Sequence, residues 1–218
     1  MRPTLLRPAL GLALVASTVL ALSASAAPKA LVLTDPAGDA NAAHDQGTDT
    51  FGTGMAGPGS QAGKDLLSIT FTPTGTTTTT VKAKTKTTTF TCTGYTALIE
   101  LSGPPTTNTL YRVLGTTAKN ISLFWLQYDN NPVGGTTSRL RYSAGTAAFV
   151  DLSIPAKVNG SKILLTVTEK EIKAAGESLA ALKVLAPGGE VRSSTGVASV
   201  PSWDVIPADD TKTFSPCA

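Results

Sequence analysis

The residues best suited to chemistry in this chain are aspartates. Asp35-Pro36-Ala37-Gly38-Asp39 has the form of a tight turn, with Asp first, Pro second and Gly fourth, which folds Asp35 toward Asp39. Asp45 and Asp49 follow in a Gly-rich stretch without strand period, 41–63, and Asp65 comes just after it. A loop of that length inside a compact domain is usually functional or mobile. Near the C-terminus Asp204, Asp209 and Asp210 add further carboxylates. Carboxylates gathered in one place repel one another and resist ionising. A hard cation that takes six to eight oxygens removes that conflict, so bound calcium is one expectation. The other is that these aspartates hydrogen-bond within Asx-turns and solvate a loop. The dense Asp-x-Asp-x-Asp-Gly calcium loop is absent, and both readings stay open.

Aromatic rings are the second resource. Sugar binding asks for an exposed ring face backed by polar groups. The segment Ile121-Ser122-Leu123-Phe124-Trp125-Leu126 is apolar on both faces of a strand, which assigns Trp125 to the core. Tyr128 beside Asp129-Asn130-Asn131, together with Tyr142 and Trp203, is left as the ligand-binding candidate set.

Catalysis has little to work with. His44 is the only histidine, and no Gly-x-Ser-x-Gly elbow is present. With both cysteines paired, a zinc site of the usual His or Cys count cannot be built. Glycosidase chemistry needs two acids across a cleft, and Glu100, Glu169, Glu171, Glu177 and Glu190 give no sign of it. A protein that is not an enzyme is expected.

The elements that must position these residues are short strands. Leu67–Thr72 alternates apolar and polar, as a half-buried strand does. Further strands are predicted at 95–101, 109–114, 121–128, 139–142, 147–154, 162–168, 182–185 and 211–214. Turn formers separate them, among them Gly103-Pro104-Pro105, Asn159-Gly160 and Pro187-Gly188-Gly189. Residues 70–93 hold 14 Thr, β-branched residues that suit strands, with a loop expected near Gly75–Thr80. Val81-Lys82-Ala83-Lys84-Thr85-Lys86 reads as a strand with three Lys on one face, a device that keeps an edge from pairing. Thr168-Glu169-Lys170-Glu171 is a capping box, so one short connecting helix is expected over 169–175. The fold class is therefore all-β, an antiparallel β-sandwich of jelly-roll or immunoglobulin-like form.

Residues 1–26 read as a signal peptide: Arg2 and Arg7, an apolar run over 9–22, and the small-x-small site Ala24-Ser25-Ala26. The run is too short to span a bilayer as a helix. The expected product is a secreted, extracellular single domain, 27–218, with no transmembrane segment. Cys92 and Cys217, the only cysteines, then form a disulfide. The leader holds two Arg and no acid, which leaves 16 basic against 15 acidic residues. That balance makes no electrostatic case for nucleic acid or an anionic membrane as partner.

The run Leu33-Thr34-Asp35-Pro36-Ala37-Gly38-Asp39, then a Gly-rich loop, then Lys64-Asp65-Leu66-Leu67-Ser68-Ile69, resembles a group of exported bacterial β-sandwich modules. They are the C-terminal modules of glucodextranases and the DOMON-like and xylanase-associated carbohydrate-binding modules. The tail Pro201-Ser202-Trp203-Asp204-Val205-Ile206-Pro207 is similar to the closing segment of stand-alone actinobacterial relatives. The resemblance implies a sandwich, metal ligation by Asp35, Asp39, Asp65 and Asp204, and sugar binding. The stretch after the motif departs from the glucodextranase type, since His44 and Phe51 are the only aromatic residues of 44–59. The expected function is a secreted, non-catalytic module that binds a polysaccharide or another cell-surface component. A structural or protein-interaction role without sugar is the alternative.

Overall fold

The computed structural model describes residues 28–38, 40, 63–82, 85–117, 123–131, 134–143, 148–193 and 202–217. The proposed leader, Asp39, His44, Asp45 and Asp49 lie outside the described residues. Twelve strands and one helix follow in order: β1 (Leu31–Thr34), β2 (Leu66–Lys82), β3 (Thr85–Leu101), β4 (Thr109–Thr117), β5 (Leu123–Asn130), β6 (Thr137–Ser143), β7 (Val150–Ser153), β8 (Ala156–Asn159), β9 (Lys162–Thr168), α1 (Glu169–Ala174), β10 (Val184–Ser193), β11 (Ser202–Ile206) and β12 (Thr213–Phe214). The first sheet has the order β1-β2-β3-β9-β8; the second runs β11-β10-β4-β5-β6-β7, with β12 also pairing β10. Every pairing is antiparallel, so the architecture is the expected all-β sandwich.

Alternation builds the core. Ile69 and Phe71 of β2, Tyr95, Ala97 and Ile99 of β3, and Ile163, Leu165 and Val167 of β9 are buried on the inner face of the first sheet. Tyr111 and Val113, Phe124 and Leu126, Leu140 and Val191 answer them from the second. The sheets approach closely where β10 carries glycine: a Cβ on Gly189 would meet Ile69 Cδ1 at 2.2 Å. This explains Pro187-Gly188-Gly189, which the sequence assigns to a separator. The triplet lies inside β10, at a register shift between Leu185 and Gly188.

The helix keeps its predicted form. Glu171 accepts hydrogen bonds from the Thr168 backbone N–H and hydroxyl, and Ile172 anchors the single apolar side in the core. Desolvation opposes ionisation of Glu171, yet these Thr168 bonds hold its carboxyl below the ordinary range. The Asn159-Gly160 hairpin also forms, joining β8 to β9 with Gly160 at φ 58°.

Two expectations about the Thr tract are corrected. Gly75–Thr80 is strand, not loop, because β2 and β3 are both 17 residues long and pair as far as Lys82 and Thr85. The Lys run is not one strand. The hairpin turns within it, so Lys82 pairs with Thr85 and Val81 with Lys86, which puts Lys82 and Lys86 on opposite faces. Cys92 and Cys217 form the expected disulfide, with Cα atoms 5.5 Å apart, at the base of this hairpin.

Candidate functional site

The aspartates serve the frame. Gly38 occupies the left-handed region at φ 87°, as the turn from Asp35 requires. That places its N–H within 3.0 Å of both carboxylate oxygens of Asp65. Asp204, on β11, accepts from the Leu66 N–H through one oxygen and from its neighbour Val205 through the other. Asp65 and Asp204 are 1% and 4% exposed, so these are buried charge-assisted bonds that tie the N-terminal turn and the tail to the start of β2. Asp209 accepts from the N–H and hydroxyl of Thr211, an Asx-turn. Among the described residues no three of His, Cys, Asp and Glu gather as a metal group. Asp65 and Asp204 each spend both carboxylate oxygens on backbone N–H donors. A shallow cleft of about 350 Å³ opens near this region, lined by Leu33, Thr34, Ile206, Pro207, Asp209 and Lys212, and holds no ring.

Tyr128 and Tyr142 do not make a platform. Tyr128 is 7% exposed and faces inward, its ring 6.1 Å from that of Tyr111. It shares the inner face of β5 with Phe124 and Leu126, because strand side chains alternate. Tyr142 faces the same interior and donates its hydroxyl to the Ala174 carbonyl at the end of α1. The Trp203 side chain lies outside the described residues.

Trp125 takes the opposite face. It projects from the outer side of the second sheet, half-buried, where the ring of Phe149 stacks on it at 5.3 Å and 28°. The guanidinium of Arg112 lies 4.8 Å from the Trp125 centroid, and that of Arg141 lies 5.4 Å from Phe149. Cross-strand register explains the grouping. Leu114, Trp125, Arg141 and Asp151 form one row across β4 to β7, and Glu190, Arg112, Gln127, Arg139 and Ser153 form the next across β10 to β7.

Each guanidinium of this face is ion-paired. Arg112 meets Glu190 at 2.7 Å, with Arg192 at 3.8 Å from the same carboxylate. Arg141 grips both oxygens of Asp151 at 2.7 and 2.8 Å, and Arg139 reaches Asp151 and Asp129. With its amide oriented so that the oxygen faces Arg139, Gln127 accepts two more bonds there. The Arg141 hydrogen bonds hold the Asp151 carboxyl below its ordinary range and the Arg141 guanidinium above its own. Burial pushes Asp129 up against the pull of Arg139, and it lowers Arg112 although Glu190 opposes it.

Exposure grades across the face. The side chains of Arg112 and Glu190 are 12% and 8% exposed, whereas Asp151 is 36% and Phe149 49%. The open end is therefore the β6–β7 margin, where Phe149, Trp125, Arg139, Arg141 and Asp151 converge. Sequence reasoning missed this set, although its signal was present: Trp125, Gln127 and Asp129 alternate with Phe124, Leu126 and Tyr128, and Arg139 and Arg141 repeat the period on β6. Comparison with protein-family models, with curated proteins and with solved structures gives no match.

Proposed function

We propose that this chain is an exported, non-catalytic binding protein whose outer second sheet takes a polysaccharide at the Phe149–Trp125 margin. The observation that carries this reading is the stacked ring pair set among planar, bidentate polar side chains. Vicinal hydroxyls match such side chains because each hydroxyl both donates and accepts, and Asp151 beside Arg141 offers an acceptor next to a donor. The ring of Phe149, about half exposed, supplies the apolar surface on which a pyranose face packs.

The test is retention of the oxidised 27–218 chain on a panel of insoluble polysaccharides and cell walls. Retention that falls at least about tenfold in F149A and in D151A supports the site, since one ring contact and one charged hydrogen bond are each worth roughly 1–3 kcal/mol. No retention of the parent protein on any glycan overturns the sugar reading. It then favours a protein partner on the same face, for which Trp and Arg anchors are equally suited. Calcium is a proposal drawn from the acidic motif alone. A melting temperature raised by the metal, with the rise lost in Asp39→Ala, supports it, and no shift on chelation ends it.

A further inference from the structure

Half of the β2–β3 hairpin stands outside the sandwich. β1 pairs β2 only from Ser68 to Phe71, and β9 pairs β3 only from Gly94 to Glu100. Beyond those limits the two strands have no further strand partner among the described residues. Thr76 to Lys82 are exposed, and Val81 is 68% exposed. Thr74 to Lys82 spans roughly 27 Å at the usual rise. A two-stranded ribbon is marginal by itself, and here its base is reinforced. A register shift between Thr74 and Gly75 bends the strand, the Cys92–Cys217 bridge ties β3 to the docked tail, and Gly75 and Gly94 pack where a Cβ would meet backbone oxygen at 2.2 Å.

Such an arm carries open backbone donors and acceptors along its outer edges, which other proteins guard with Lys, Pro or a bulge. On the β2 edge the guards sit at the ends: Pro73 and the bulge at the base, Lys82 at the tip. Between them Thr76 to Val81 is β-branched at every position and uncharged. Residues 72–94 hold three Lys and no acid, and neither Lys82 nor Lys86 is in an ion pair among the described residues.

We infer that this edge is a docking surface for a second copy of the same chain, joined antiparallel about a two-fold axis at Thr78. Charge selects the arrangement. Parallel arms would set Lys82 beside Lys82. The antiparallel pair sets each Lys82 opposite Thr74 of the other copy and holds the two ammonium groups roughly 27 Å apart along the strands, well past the screening length of about 8 Å at physiological salt. Thr76 then lies opposite Thr80, a pairing that Thr favours across strands. About nine residues a side engage, against the roughly 20–30 of a standard interface, so the dimer is weak and concentration-dependent.

Sedimentation equilibrium of the oxidised 27–218 chain up to roughly 500 µM tests it in a range where weak association is visible. The weight-average mass is expected to rise toward that of a dimer, and to do so equally at low and high salt, because backbone pairing carries the contact. T76K/T78K/T80K places three like-charge pairs across the two-fold axis and weakens association roughly hundredfold. T76E/T78E/T80E does the same alone, and an equimolar mixture of the two variants restores dimer in a salt-sensitive way. T213K, on an exposed position away from the arm, leaves the mass profile unchanged. A monomer at every concentration overturns the inference, as does association that survives the triple Lys substitution.

Discussion

Tyr95 lies wholly buried with its ring edge-on to Phe214 at 5.4 Å, and its hydroxyl has no hydrogen-bond partner among the described residues. Burial pushes the phenol well above its ordinary range. A buried polar group left unmade costs about 1–3 kcal/mol. Y95F is therefore expected to raise stability by about 1 kcal/mol in urea denaturation, against the usual rule that core changes harm; a loss would show that the hydroxyl has a partner after all. Asp65 is the converse case. D65A removes the acceptor of Gly38 and leaves a part-buried N–H unsatisfied, an expected cost of about 2 kcal/mol by the same measurement. Asp151 adds a pH dependence whose sign is fixed by its depressed carboxyl. Its pairing with Arg141 contributes fully above the unfolded pKa of about 4 and is lost as pH falls through the lower folded value. Stability of the parent protein minus that of D151N should thus be constant from neutral pH down to about 4 and vanish only below it.

The two ends of the Thr tract show what a sequence can and cannot disclose about elements. Alternation at Leu67–Thr72 placed the start of β2 correctly, because half of each side chain pair is apolar there. Beyond Pro73 nearly every residue is Thr, so no face is distinguished and nothing in the local pattern separates a strand from a loop. The turn was hidden for the same reason: Lys82, Lys84 and Lys86 alternate on either reading, and only the register of Val81 with Lys86 reveals the hairpin. The capping box at Thr168 was legible since its chemistry is local. The proposed binding margin was not. Trp125, Arg141 and Phe149 come from three places in the chain and meet only through cross-strand register. The row of apolar residues before Trp125 then drew it toward the core in sequence reasoning. The aspartates left two readings open, ligation and turn bonding, and the structure adds that backbone N–H groups bond Asp65 and Asp204.

At the scale of the whole molecule, closure depends on the tail. β12 adds to β10 through Val184 and Leu185, Phe214 fills the core between Phe71 and Tyr95, and Cys217 bonds Cys92 three residues later. Two independent devices thus dock one segment. The bridge spans a sequence separation of 125, for which loop-closure entropy of the unfolded chain gives at most about 5 kcal/mol. Phe214 is 1% exposed, and truncating a buried Phe to Ala costs about 3–5 kcal/mol. C92S/C217S should stay folded, with Phe214 still seated, at a lower denaturant midpoint and a slope altered by the freer unfolded chain. F214A with the bridge intact should also fold, since the tail remains tethered. Combining them releases the tail altogether, and from then on neither loss can exceed what docking was worth. The summed cost should therefore fall short of additivity by about 1 kcal/mol or more. A strictly additive cycle in denaturant titrations would mean that bridge and ring stabilise separate parts of the molecule. The base of the Thr arm would then owe its position to the β-bulge and its packed glycines, and the arm should keep its association in the serine variant. If the cycle is sub-additive, loss of the bridge loosens β3 at Cys92 as well as the tail, and dimer formation by the arm should weaken in step with stability.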